Sequence, residues 1–421
     1  MGLKIKLFNV RDPERLIERV KNLWPLYLSQ PLFEIIKSFE CDQEDKFIVV
    51  SDKPVKIDGE CSYFWSRPDP LQIVIRAIQL TYAPVEKTYS RRSFISGKQY
   101  ERLVKAPKVS DRCLSSIGCS QCLSSCPNSA LQKVEGKIVI DTVKCTNCGL
   151  CSASCPIGAI DSPYFNWNGI TVLSKSIKNN NLTVSCEPES GDLIIPCIGY
   201  LGIEEITVLE EHFNLKLICP NEKCVNRGAA EKALTILEEI KKKIKKETTP
   251  DLVGIKRNDY VKAVNKGKLE GESTLDIHAY RVDINDNCTL CGVCAKKCPT
   301  GALSMSSNEK TVMILNEPHK CIGCNLCVTL CKESAIKVRK INNYEYLRED
   351  YVYSVTEDEI ARCKGCGKPI GSKRMILKIS KIVGKDPEEL MYCNDCKQKI
   401  TAEKILRGWT EKFGEVRKSK I

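Results

Sequence analysis

The 421-residue chain is two to four times the usual domain length, so several packed units are expected rather than one core. With 42% apolar and 28% charged residues it has the makeup of a folded protein, and disorder is excluded. No apolar run approaches the roughly 18 to 20 residues a membrane span requires, and the opening Met1-Gly2-Leu3-Lys4-Ile5-Lys6 has no hydrophobic signal core. A soluble cytoplasmic protein is expected, with attachment to a complex at the inner membrane face as the alternative. The outlier is cysteine: 26 residues, which in a reducing compartment serve metals before disulfides.

Residues 1–108 read as a small α/β domain. Leu3 to Val10 alternates like a strand, Pro13 to Phe39 reads as one or two helical segments broken at Pro25 and Pro31, and Phe47 to Val50 reads as a buried strand. Cys41 and Cys61 have no partner spacing and are expected to be free buried thiols. Ser90-Arg91-Arg92-Ser93-Phe94 reads as a surface turn, because no apolar stretch follows it.

From Asp111 the cysteines come in groups of four: Cys113, Cys119, Cys122 and Cys126, then Cys145, Cys148, Cys151 and Cys155. The pattern returns as Cys288, Cys291, Cys294 and Cys298, then Cys321, Cys324, Cys327 and Cys331, an internal duplication of a two-motif unit. Three of the groups follow C-x2-C-x2-C-x3-C. Two-residue gaps let a tight loop offer three thiolates to three irons of one cubane, with backbone N–H groups turned toward the sulfides. Zinc sites use paired C-x2-C knuckles instead. Such a unit needs little apolar core, since thiolate–iron bonds supply folding energy.

These motifs resemble bacterial two-cluster ferredoxins over residues 111–163 and 286–337. The likeness extends to the Cys-Pro pairs at Cys126, Cys155 and Cys298 and to Pro156-Ile157-Gly158-Ala159 and Pro299-Thr300-Gly301-Ala302. The resemblance implies crosswise ligation of four [4Fe–4S] clusters. The sets would be Cys113, Cys119, Cys122 with Cys155; Cys145, Cys148, Cys151 with Cys126; Cys288, Cys291, Cys294 with Cys331; and Cys321, Cys324, Cys327 with Cys298. Two departures stand out: Cys113 is five residues from Cys119 with Ser116 at the strict position, and Lys332 replaces the usual proline. Cys113 reaching round a longer loop is the favoured reading; a serine-ligated or three-iron cluster is the other.

Between the duplicated units, Leu182 to Ser185, Asp192 to Ile195 and Leu215 to Ile218 read as strands. Gly202 to Phe213 and Ala229 to Lys246 read as helices, the latter ending in solvated lysines. This alternation suggests a small parallel α/β domain. Cys186, Cys197, Cys219 and Cys224 fall at or beyond the carboxyl ends of those strands, where such sheets place their sites. Pro196-Cys197-Ile198-Gly199 and Cys219-Pro220-Asn221-Glu222-Lys223-Cys224, with a Gly-led helix after them, are similar to the small iron–sulfur subunit of methyl-viologen-type hydrogenases associated with heterodisulfide reductase. That resemblance implies a fifth cluster, [2Fe–2S]; zinc or unligated thiols are the alternatives.

Residues 251–277, rich in Lys, Gly and Glu, read as a connector. Farther on, Cys363-Lys364-Gly365-Cys366-Gly367 and Cys393-Asn394-Asp395-Cys396 form two knuckles of a structural zinc site, thiolate-only and closed. A rubredoxin-like single iron would use the same four residues.

The expected fold class is therefore α+β, with six parts. They are an N-terminal α/β domain (1–108), a first 2[4Fe–4S] ferredoxin domain (109–165), an inserted α/β four-cysteine domain (166–250) and the connector (251–277). A second ferredoxin domain (278–345) and a zinc ribbon or treble-clef module (346–421) complete the chain. The formal charge of +12 counts each thiol as neutral. Four cubane sites would subtract about 8 and two further four-thiolate sites about 4. The surplus Lys and Arg then compensate metal centres rather than bind phosphate.

No catalytic residue is expected. His212, His278 and His319 sit in no acid/base motif and read as surface or helix-end residues, and no P-loop or dinucleotide fingerprint appears. The whole resembles the four-cluster electron-transfer (β) subunits of molybdopterin oxidoreductases, formate dehydrogenases among them. That implies partners: a catalytic oxidoreductase subunit of molybdopterin or hydrogenase type, and an acceptor protein. A hydrogenase or heterodisulfide reductase linker is the redox alternative. A nucleic-acid or ribosome-associated protein with structural clusters is the alternative from another class.

Overall fold

The computed structural model describes all residues except 1–2, 26–27, 39–45, 56, 58–61, 89–99, 104–105, 178–180, 188–189, 247–250 and 419–421. Cys41, Cys61 and the Ser90 to Phe94 segment lie outside the described residues. The chain forms two compact units, one of Met1–Ala279, Ile322–Cys324 and Lys340–Glu349, the other of Tyr280–Cys321, Asn325–Arg339 and Asp350–Ile421.

The first unit begins with a parallel sheet of order β2-β1-β3-β4, formed by β1 (Lys4–Phe8), β2 (Leu32–Ile36), β3 (Lys46–Val50) and β4 (Ser62–Ser66). Asp12 caps helix α1 (Pro13–Leu23) by accepting from the Arg15 N–H, and Asp69 caps α2 (Pro70–Tyr82) through the Gln72 N–H; each helix has Pro at its first position. The β2 segment, expected to be helical, is a strand. Pro31 bars helix continuation, and Leu-Phe-Glu-Ile-Ile finds unpaired backbone at the edge of β1, in register from Lys4/Leu32 to Phe8/Ile36.

The inserted sheet is parallel, with Leu193–Ile194 and Asn214–Ile218 flanking Asn181–Ser185, and helices Ile203–His212 and Arg227–Lys243 accompany it. Its lysines are not simply solvated: Lys246 lies 2.7 Å from the buried Glu210. The stretch expected to be a connector holds a buried helix, Lys256–Lys266, with Tyr260, Val261, Ala263 and Val264 in the core. Its low apolar content conceals it, because the buried charges Lys256, Arg257 and Asp259 take the place of apolar side chains. Of the histidines expected at the surface or a helix end, His278 departs from that placement and His212 keeps it. His278 is buried and hydrogen-bonds Glu204 through Nδ1, while His212 is buried at a helix end with Nδ1 2.8 Å from the Val208 carbonyl oxygen.

One apolar core runs from Ile5 in β1 through α2 and the inserted sheet to Leu347. Fully buried Arg76 joins the two sheets: its guanidinium donates to the carbonyls of Trp65 (3.1 Å), Asp192 (2.6 Å) and Gly191 (3.1 Å). These contacts engage one carbonyl of β4 and two just ahead of Leu193–Ile194 in the inserted sheet, and keep a buried charge tolerable. Among the described residues, no helix is long and apolar enough to cross a membrane.

In the second unit, hairpin strands Leu303–Ser307 and Thr311–Asn316 continue antiparallel into Tyr353–Arg362 and Pro369–Ser372. The C-terminal cysteine module therefore shares a sheet with the second ferredoxin-like region. Ser372 Oγ, buried, donates to the Thr289 carbonyl at 2.8 Å, inside the Cys288 loop.

Replacing Arg76 with Met should remove the guanidinium donors of the Trp65 and Asp192 carbonyls, leave Gly191 only the long Gln72 Nε2 contact at 3.4 Å, and lower unfolding stability by about 3 kcal/mol. Denaturant midpoints measure it, and a wild-type midpoint would refute the role given to Arg76.

Candidate functional site

The cysteine loops are shaped by backbone turns that few residues adopt. In the group from Cys145, Asn147 and Gly149 have φ of 55° and 83°; from Cys288, Leu290 and Gly292 have 52° and 74°; from Cys321, Gly323 and Asn325 have 65° and 59°. Each pair flanks the second cysteine of its motif. Alternating left-handed and ordinary turns make successive N–H groups converge, a concavity suited to an anion such as a sulfide-bearing cluster. Because Leu290 has a Cβ, its left-handed turn carries strain.

A second turn recurs after each fourth cysteine, where Ser129, Gly158, Gly301 and Ser334 all have φ between 48° and 68°. The turn aims the following Ala N–H back at sulfur: Ala130 at Cys126 (3.3 Å), Ala159 at Cys155 (3.2 Å) and Ala335 at Cys331 (3.4 Å). N–H donors to a ligand sulfur stabilise its negative charge and raise a cluster's potential.

The thiols that influence one another fall across the motifs. Burial pushes the Cys122 thiol up to about 12, helped by Cys155, Cys119 and Cys113. Burial raises Cys151 further, with Cys148, Cys122, Cys145 and Cys126 adding to it. In the second unit, burial pushes Cys294 up to about 11, with Cys288, Cys291 and Cys331 acting in the same direction. Several thiolates cannot share such a space without positive charge among them, which an iron core would provide.

Cys113 lies in this neighbourhood despite its displaced spacing. The extra residues form a short turn, Leu114–Ile117, closed by Gly118 at φ 116°. The Cys113 thiol lies 3.4 Å from Ser115 Oγ, whereas Ser116 is exposed. Cations accompany the cysteines: Lys133 acts on Cys119, Lys256 on Cys155 and Arg374 on Cys288, each favouring thiolate.

Cys186, Cys197, Cys219 and Cys224 also share a neighbourhood. Cys186 is raised by burial and then by Cys219 and Cys224; Cys197 is pushed up to about 11 by burial and by Cys186, Cys224 and Cys148. Cys148 belongs to the ferredoxin-like loop, and the two loops interlock. A Cβ on Gly149 would meet the Tyr200 backbone N at 2.4 Å, and one on Gly199 would meet the Cys148 carbonyl at 2.5 Å. The Asn226 side-chain amide donates to the Thr146 carbonyl at 2.7 Å. Tyr200, which no motif in the sequence singles out, fills this junction with 3% exposure.

The remaining group is more closely gathered. Sγ atoms of Cys363, Cys366, Cys393 and Cys396 all lie within 4.8 Å of one another, and a tetrahedral ion bonded at about 2.3 Å sets its sulfurs ~3.8 Å apart. The Cys393 N–H donates to Cys363 Sγ at 3.3 Å and draws that thiol down to about 6, while hydrogen bonds with Cys393, Cys363 and Cys366 push Cys396 up to about 12. A Cβ on Gly365 would lie 2.9 Å from Cys396 Sγ, so glycine there lets the second knuckle close. The donor set suits one metal ion.

Residues 112–159 and 287–336 each match a family of 4Fe–4S dicluster domains. Over 45 residues the chain is 47% identical to a component of the ion-translocating oxidoreductase complex of Methanosarcina acetivorans, a match covering 11% of this chain and 17% of that protein. The chain thus spans less than a fifth of that relative's length. It carries two iron–sulfur domains of the electron-transfer type.

Gly149→Ala should force the interlocked loops apart. Anaerobically prepared variant should lose at least about four irons per chain, by iron and protein assay; an unchanged iron content would contradict the packing described.

Proposed function

We propose that this chain relays single electrons through four [4Fe–4S] clusters, held by the crosswise cysteine sets, to or from a fifth centre at Cys186, Cys197, Cys219 and Cys224. Each cluster, when bound, supplies a one-electron carrier. The protein's own residues do the rest: paired left-handed turns direct N–H groups at the sulfides, and nearby cations balance the thiolates. The observation that carries this reading is the pair of dicluster domains, one of which has a further four-cysteine site interlocked with its Cys145 loop. Substrate chemistry would occur on a partner.

For that partner, the reading is a catalytic oxidoreductase subunit of the molybdopterin, formate dehydrogenase-like kind, with a separate acceptor protein. The inserted domain's seating on the cluster loop favours a second reading, a linker in a hydrogenase or heterodisulfide reductase complex. The C-terminal cysteines would hold one zinc ion with a folding role, since a closed thiolate site leaves no open ligand position.

Anaerobic purification of the native assembly tests this. Expected are about 16 cubane irons, about 2 more at the inserted site and one zinc per chain, reduction by dithionite, and a partner bearing molybdenum or tungsten. A nickel-bearing partner would select the second reading. Iron-poor protein eluting with RNA or DNA would overturn both.

A further inference from the structure

One buried charge lies beside the cluster loops without belonging to any motif. Lys256 opens the helix Lys256–Lys266 and is 1% exposed. Its Nζ lies 2.6 Å from Glu205 Oε1 and 4.0 Å from Glu204 Oε2, and donates to the Ser152 carbonyl at 3.3 Å. Ser152 stands between Cys151 and Cys155. The lysine's aliphatic stem passes the turn after Cys155, where a Cβ on Gly158 would lie 3.3 Å from Lys256 Cδ. Its ammonium sits 5.9 Å from the Trp167 ring centroid, and Trp167 Nε1 donates to Asp259 at 2.8 Å.

Burying an ammonium is costly unless it is paired and hydrogen-bonded. Burial disfavours the charged form of Lys256, but Glu205 first, then Glu204 and Cys155, outweigh it and raise the ammonium's pKa above its ordinary value. Glu204 is itself bound by His278 and Glu205 by the Gly202 N–H, so each carboxylate has a second partner, while the ammonium reaches the loop through the Ser152 carbonyl. In a low-dielectric interior, a fixed cation beside a thiolate ligand favours the state with more negative charge.

We infer that Lys256 is the positioning residue that sets the reduction potential of the cluster ligated by Cys155, its buried ammonium stabilising the reduced form. This inference rests on the reading that Cys155 holds a cluster. Reduction adds one electron to the iron–sulfur core; no bond is made and no proton moves at Lys256.

The test is a redox titration of the full-length protein followed by low-temperature EPR at mildly alkaline pH. Lys256→Met should lower the midpoint of one cluster by at least about tenfold in reduction equilibrium, ~59 mV for one electron, leaving the Cys288 and Cys321 clusters unmoved. Lys256→Arg should hold the midpoint near wild type. Glu205→Gln, which keeps the shape of the pair, should raise it, and decides the matter if Lys256→Met does not load iron. Unmoved midpoints in Lys256→Met, or in Glu205→Gln where it must decide, would overturn the inference. Wild-type protein without cubane signals would instead overturn the cluster reading itself.

Discussion

Crowded thiolates repel, and that repulsion governs this protein. Burial and neighbouring sulfurs raise the thiols of Cys122, Cys151, Cys197 and Cys294, so the groups cannot ionise together unless positive charge enters. The chain answers at three levels: an expected iron core, backbone N–H groups turned inward, and cations such as Lys133, Lys256 and Arg374. The formal charge of +12 counts every one of these thiols as neutral.

The same constraint explains how each cysteine-rich domain is supported. Such small domains have little apolar core, and here each leans on a neighbour within its own unit. The first is braced by the inserted sheet, whose core is continuous with the N-terminal sheet through Arg76. In the second unit, the C-terminal knuckles are appended to the hairpin sheet, and Ser372 fastens them to the Cys288 loop. A site held from two sides can keep the short, strained turns that direct N–H groups at sulfur.

Much of this is legible in the sequence, because cysteine spacing encodes loop geometry locally. The four groups and the inserted parallel sheet with cysteines at its carboxyl ends can be read from residues a few positions apart. Tertiary partners hide the rest. Leu32–Ile36 looks helical until β1 offers it an edge. Residues 251–277 look like a tether because their composition is charged, yet Lys256 finds Glu204 and Glu205 some fifty positions upstream. Tyr200 carries no motif; only the approach of the Gly149 and Gly199 loops gives it a role. His278, expected at the surface or a helix end, is fixed by Glu204 from a distant helix.

All of this depends on the polypeptide organising iron and sulfur into cubanes. Mössbauer spectroscopy of isotope-enriched, anaerobically prepared full-length protein tests it most directly. Expected are spectra dominated by valence-delocalised iron of cubane type, altered as a whole on reduction. Spectra of isolated single irons, or protein whose thiols are filled by zinc alone, would contradict it.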